Sequence, residues 1–210
     1  MQGQPVVMYR GPRDRSPLSM CVWVILNRAN IKFKEIEGPV ETEGSAQHYV
    51  DFHGQSESLW SEVPRLMIGN QKIWSSLSIA EYVAEFSPFL WPRSPRLRAC
   101  ARSIAAALQR HHSLRYLVPF SGHVAVDAQP SECVYKEIRK LEKTWKMTEP
   151  DCNFFKNGDG FLFGDFTIAD GLGADLAVRL YRYKSYLDYS LASYVCRTWE
   201  MPEIQIWLNG

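Results

Sequence analysis

An α/β unit followed by an all-helical half is the architecture this sequence predicts. Short β-prone runs all precede Ser75, and helical apolar periodicity dominates after it. Between the two regimes, "SPFLWPRSP" (Ser87 to Pro95) crowds three prolines together, which stops a helix and marks a boundary. The expected units are residues 1–87 and 93–210.

Each element has a local reason. "PVVMY" (Pro5 to Tyr9) reads as a short buried strand, followed by the loop "RGPRDRSP". A helix is expected from Pro17, whose missing N–H is no loss in a first turn. Leu18, Cys21, Val22, Ile25, Leu26 and Ala29 then share one apolar face. "IKFKEIE" (Ile31 to Glu37) is a second strand, and 38–61 holds a weakly periodic stretch where a helix is conceivable. "RLMI" and "KIW" flank "GNQ", the signature of a tight hairpin. The helix after it is expected to bury Ile79, Tyr82, Val83 and Phe86. Beyond the prolines, a long helix is predicted over Arg96 to Leu117, and another over Ser131 to Met147 with Val134, Ile138, Leu141 and Trp145 inward. "GDFTIADGLGADLAVRLYRY" and "PEIQIWL" give two further helical segments.

Composition narrows the function. The chain has 210 residues, 46% hydrophobic, enough to bury a sizeable core. A net charge of +1 gives no electrostatic pull toward nucleic acid or an anionic membrane. No apolar run approaches the roughly 18 residues of a membrane helix. The N-terminal residues lack an apolar signal-peptide core. Cysteines at 21, 100, 133, 152 and 196 are odd in number and form no CxxC, which suits reduced thiols in a cytoplasm and no zinc site. His111 and His112 are adjacent, about 100° apart on a helix, and do not readily share a metal. Arg93, Arg96, Arg98, Arg102 and Arg110 read as a solvated or ion-paired helix face, and Arg10, Arg13 and Arg15 as a solvated loop.

Three motifs stand at a particular spacing: "VPRL" (Val63 to Leu66), "SSLSIAEYV" (Ser75 to Val83) and "FTIAD" (Phe166 to Asp170). Together they resemble the cytosolic glutathione S-transferase superfamily, in its VPxL, in its S-x-x-I-x-x-Y and in the capping box of a core helix. "FLWPRSPRLRACARSIAA" looks like bacterial members. The resemblance covers nearly the whole chain. It implies an N-terminal thioredoxin-like domain, an α-helical C-terminal domain, a cis proline at Pro64, glutathione as cosubstrate, a small apolar electrophile and a homodimer.

The chemistry can be placed on residues. By the resemblance, Val63 before the cis Pro64 would pair its backbone with the tripeptide. A helix beginning at Ser76 offers unpaired N–H groups and a positive dipole end, a seat for the γ-glutamyl carboxylate. Ser75 and Ser76 would add hydroxyls, while a plain N-cap is the alternative for Ser76. A free thiol has a pKa near 8.5, and lowering it by about two units takes roughly 2.7 kcal/mol. A hydroxyl at a helix N-terminus contributes to that. Ser16, just before Pro17, matches the serine-type position, with Ser19 and Tyr9 as alternatives and a cap as the other reading of Ser16. Thr167 and Asp170 should form a capping box. Gly171 and Gly173 each cost about 1 kcal/mol inside a helix, which close helix packing would explain.

Some positions depart from the family's pattern. Ser75 stands where Glu or Asp is usual, Glu62 where Gln, Lys or Arg is common, "SLW" (Ser58 to Trp60) where an NP-type turn is usual, and "ALQRHH" where bacterial relatives often carry Glu-Met-His. Two functions therefore stand: a glutathione transferase-like enzyme acting by conjugation or by an isomerase or lyase variant, and a non-catalytic binding or interaction protein with a degenerate glutathione site.

Overall fold

The computed structural model describes residues 4–37, 63–120, 127–148 and 160–210. The expected helix within 38–61, Ser58 to Trp60, Glu62 and Cys152 lie outside the described residues. β1 (Val6–Arg10) leads to α1 (Pro17–Arg28) and β2 (Lys34–Glu37). β3 (Arg65–Ile68), β4 (Gln71–Trp74) and α2 (Ser76–Phe86) follow. After a 3-10 turn at Pro88–Leu90 come α3 (Pro95–Gln109), α4 (His112–Leu117), α5 (Glu132–Thr148), α6 (Ile168–Leu180), a 3-10 segment at Tyr181–Tyr186, α7 (Tyr189–Trp199) and α8 (Pro202–Asn209). The fold is thus a thioredoxin-like α/β half and an all-α half, as the sequence predicts.

The sheet order is β2-β1-β3-β4, with β1 and β2 parallel and the other neighbours antiparallel. Gly69 turns the β3–β4 hairpin at φ +57. Asn70 stays at negative φ, so only the first central residue needs the left-handed region, and a glycine enters it without steric cost. Register does the rest: Tyr9 pairs with Arg65, and Arg65 with Trp74. The loop after β1, the residues before β3 and the residues after β4 therefore emerge at one edge of the sheet.

Two expected helices differ in detail, and a third helix was not expected. In α2 the buried residues are Ser76, Ile79, Ala80, Val83 and Ala84. Phe86 is half exposed and packs its ring on Tyr82, centroids 5.2 Å apart. Phe86 is not a core residue because Ala80 and Ala84 occupy the inward stripe, while Tyr82 is partly buried and packs against the core. The helix expected over Arg96 to Leu117 breaks between Gln109 and His112. Arg115 explains the break: its guanidinium donates to the Leu108 and Gln109 carbonyls at 3.1 and 2.9 Å, taking acceptors that a continuing helix would use. α7 carries no prior expectation. Its inward residues Leu191, Tyr194, Val195 and Thr198 include polar groups that blur the apolar stripe. In α5, by contrast, Val134, Ile138, Leu141 and Trp145 are all buried as expected.

α6 lies at the centre, with every residue from Ile168 to Leu180 buried. A Cβ on Gly171 would fall 2.4 Å from Ile25 Cγ1 of α1, and one on Gly173 would fall 2.9 Å from Leu108 Cδ1 of α3. The two glycines are therefore contact points with neighbouring helices. The capping box forms: the Asp170 carboxylate accepts the Thr167 N–H at 2.7 Å, the Thr167 hydroxyl at 2.8 Å and the Leu162 N–H at 2.9 Å. Further along, the fully buried Asp175 accepts two bonds from Arg115 at 2.6 and 2.9 Å. Arg179 donates to the Arg115 carbonyl at 3.1 Å and to the Val118 carbonyl. These buried charges are paired, which is the condition under which they are tolerated.

Two outcomes follow from α6. Gly171→Ala gains about 1 kcal/mol of helix propensity but forces Ile25 to move, and is expected to lose about 1–3 kcal/mol net in urea denaturation. Burial pushes the Asp170 carboxyl up to about 6, against the three donors that favour its anion. The folded state therefore holds this proton more tightly than the unfolded chain, and the stability it confers is lost as pH rises from about 4 through about 6. The urea midpoint of the wild type, measured relative to Asp170→Asn, is expected to fall across that window. A flat or rising difference contradicts it.

Candidate functional site at one edge of the sheet

Ser16 sits at the N-cap position of α1, buried to 9% exposure, yet its side chain makes no capping bond. Its Oγ lies 2.6 Å from Ser19 Oγ, and Ser19 Oγ also accepts the Gly11 N–H at 3.2 Å. The loop backbone holds the pair closely, since a Cβ on Gly11 would stand 2.8 Å from Ser16 Cβ and Oγ and 3.3 Å from Val63 Cγ2. Gly11 is thus the common neighbour of Ser16 and Val63. Sequence reasoning passed over it, because a glycine beside a proline reads only as a loop. Tyr9 lies elsewhere, its ring beneath the Arg65 guanidinium at 4.9 Å.

The loop bearing Ser16 is fastened from outside. Arg13 stacks over Trp23 at 5.4 Å and over Trp207 of α8 at 4.9 Å. Glu35 accepts from Trp23 Nε1 at 2.7 Å, Arg10 Nε at 2.9 Å and Arg13 Nη2 at 3.1 Å. Burial pushes the Glu35 carboxyl up, but the Trp23 and Arg10 hydrogen bonds and the charges of Arg13 and Arg10 outweigh it and hold the group below the usual range. Trp207 Nε1 closes the clamp on the Arg13 carbonyl at 2.9 Å. Arg10 and Arg13 are therefore structural ties and not a solvated loop. Arg15 remains exposed, 3.5 Å from Asp14.

Val63–Pro64 is a cis peptide bond, with Pro64 buried. The β3 ladder starts at Arg65, so Val63 lies outside the register with both neighbouring strands. Across the edge, α2 begins at Ser76 with Ser75 as its N-cap at φ +66. Ser75 Oγ accepts the Ser78 N–H at 3.2 Å and donates to Ser78 Oγ at 3.0 Å. Capping thus falls to Ser75 and not to Ser76. Ser76 is buried, and its Oγ accepts from Gln109 Nε2 of α3 at 3.1 Å. The Ser76 and Leu77 N–H groups of the first turn precede the first intrahelical bond, from the Ile79 N–H to the Ser75 carbonyl at 3.1 Å, and lie at a positive helix end. Gln109 is the second residue that sequence reasoning missed. "ALQRHH" marked the place, but only the helix break and the reach to Ser76 give it a role.

The arrangement brings Ser16, Val63, Pro64, Ser75 and Ser76 to one sheet edge. It presents two helix N-termini there, with a hydroxyl pair at one and first-turn backbone N–H groups at the other. A groove of about 930 Å³ lies between α4 and α5, among Tyr116, Leu117, Tyr135 and Lys140, and includes none of these residues. Among the described residues no group of three or more His, Cys, Asp or Glu is placed to hold a metal, and no helix is long and apolar enough to cross a membrane.

No protein-family model and no curated protein sequence matches the chain. Solved structures do. A glutathione transferase homolog from Burkholderia with bound glutathione aligns with 97% of this chain and 95% of its own, at TM-score 0.64 and 23% identity. The Tau class glutathione S-transferase of mango, Mangifera indica, aligns over 98% and 93%, at TM-score 0.65 and 20% identity. Glutathione transferase Omega 3C of Trametes versicolor aligns over 96% and 87%, at TM-score 0.67 and 17% identity. At such identities the likeness establishes the fold: the described residues have the architecture of the glutathione transferases.

Proposed function

We propose that the protein binds glutathione and activates its thiol for attack on a small, mostly apolar electrophile. One observation carries the reading: a hydroxyl that makes no capping bond, Ser16, stands at a helix N-terminus on the same sheet edge as the cis Pro64 and the first turn of α2. The likeness to a homolog solved with bound glutathione supports the choice of ligand. Val63 would pair with the peptide backbone, and Ser76 with the Ser76 and Leu77 N–H groups would hold the γ-glutamyl carboxylate. Ser75 serves chiefly as the cap that keeps that turn open. Ser16 would donate to the thiolate, with conjugation as the default reaction and glutathione-dependent isomerisation or lysis as the nearest variants. The electrophile would lie between the loop of Ser16 and α3. We keep the division into 1–87 and 93–210 with this reading, supported by the 3-10 turn and prolines between α2 and α3.

A second reading is a non-catalytic glutathione transferase-like binding protein. It is favoured by the commitment of Ser75 to capping and of Ser76 to Gln109, both of which reduce the groups free for a ligand. The two readings separate by experiment. Calorimetry is expected to give micromolar to low-millimolar binding of glutathione, weakened in Ser76→Ala by about 1 kcal/mol or more, roughly fivefold. Ser16→Ala is expected to lower turnover of an electrophile at least tenfold while leaving S-hexylglutathione binding within about twofold. Absence of any binding at 10 mM in the wild type would sink the enzyme reading.

A homodimer and a cytoplasmic location belong to the same proposal. Phe86 at the end of α2, Phe89 after it, and Tyr116 and Leu117 on α4 are exposed large apolar side chains of the kind an interface covers. Among the described residues Cys21, Cys100, Cys133 and Cys196 form no disulfide, which suits a reducing compartment. Phe89→Asp is expected to shift light-scattering mass from dimer to monomer. An unchanged dimer would move the interface elsewhere.

A further inference from the structure

Ser16 and Ser19 compete for one role in the sequence, but the fold makes them a pair. We propose that Ser19 is a positioning residue for the thiol site: it supports the Ser16 hydroxyl as donor to the bound thiolate without touching the sulfur. The inference rests on the glutathione reading above and deepens it.

The geometry is that of a short chain. Ser19 is fully buried in the first turn of α1, and its Oγ is fixed from one side by the Gly11 N–H at 3.2 Å and from the other by Ser16 Oγ at 2.6 Å. Gly11 leaves the pair no slack, since even a methyl group there would meet Ser16 at 2.8 Å. A serine hydroxyl carries one proton and two lone pairs. In the free protein Ser16 donates to Ser19, which accepts twice. When a thiolate arrives beside Ser16, the Ser16 proton turns to the sulfur and Ser19 turns its own proton to Ser16. Both changes are rotations about Cβ–Oγ bonds and move no heavy atom. Gly11 N–H, Ser19 O–H and Ser16 O–H then all point toward the sulfur, each polarising the next. No bond forms or breaks in the protein. The thiol's proton leaves to solvent, and both serines stay neutral.

The test is the pKa of the thiol in bound glutathione, followed by its ultraviolet thiolate absorbance against pH. Wild type, Ser16→Ala, Ser19→Ala and the double variant form a cycle. Ser16→Ala is expected to raise the pKa by about one unit or more and Ser19→Ala by about half a unit. The double variant should rise no further than Ser16→Ala alone, because Ser19 acts only through Ser16. Binding of S-hexylglutathione, which has no thiol proton, should be unchanged in Ser19→Ala. Ser19→Cys, near-isosteric and a weaker hydrogen-bonding group, should repeat the shift and covers the case where the alanine variant does not fold. Two results overturn the inference: no shift in either Ser19 variant, or a shift of equal size with and without Ser16, which marks a purely structural serine. Failure of the wild type to bind glutathione is a separate result and removes the underlying reading together with this one.

Discussion

The approach of α6 to its two neighbours is the constraint on which the rest of the structure depends. A helix buried along its whole length has no solvent face, so each side must fit against protein. Gly171 lets Ile25 of α1 come to the α6 backbone, and Gly173 does the same for Leu108 of α3. α1 belongs to the α/β half and carries Ser16 and Ser19 at its start. α3 belongs to the helical half and carries Gln109 at its end. One helix therefore packs against both of the helices that carry these groups. The helix-propensity cost of the glycines is offset by the packing they permit.

Charge burial in α6 is the corollary. Asp175 is fully buried and needs a partner, and Arg115 supplies a two-pronged one. The same guanidinium then takes the last carbonyls of α3, so the pairing that satisfies Asp175 also ends that helix at Gln109. With the helix ended there, the Gln109 side chain reaches Ser76 at the start of α2. A core ion pair and a surface-edge hydrogen bond are in this way parts of one arrangement. Removing one member of such a buried pair typically costs about 3–5 kcal/mol, because the other is left uncompensated.

At the opposite side of the sheet edge the C-terminal helix has a comparable part. Trp207 and Trp23 hold Arg13 between them, and Glu35 gathers Arg10, Arg13 and Trp23. The loop from Gly11 to Ser16 is thereby tied at both ends, to the β1–β2 pair and to α8. The proposed donation from Ser16 to a thiolate gains from such a tie, because the orientation of the hydroxyl is set before the ligand arrives and little is lost on binding. That the cis Pro64, the serine pair and the α2 N-terminus share one edge follows from the pairing of Tyr9 with Arg65 and of Arg65 with Trp74.

Sequence by itself determined what is local. Period-2 and period-3.6 patterns, Pro17 at a helix start, Gly69 in a hairpin and Thr167 with Asp170 in a capping box each involve residues within a turn or two of one another. They were legible for that reason, as was the α5 stripe from Val134 to Trp145. The resemblance to the glutathione S-transferases likewise pointed to Ser16, Val63, Pro64, Ser75 and Ser76. Tertiary structure decided what depends on residues far apart in the chain. Nothing near Gln109 says that Arg115 will end its helix, because the reason is Asp175, 60 residues later. Nothing near Arg13 says that it will leave solvent, because Trp207 lies at the other end of the chain. Only the fold assigns capping to Ser75, turns Ser16 toward Ser19 and sends Gln109 to Ser76. A side chain with several possible partners chooses among them by which one the packing brings within about 3 Å.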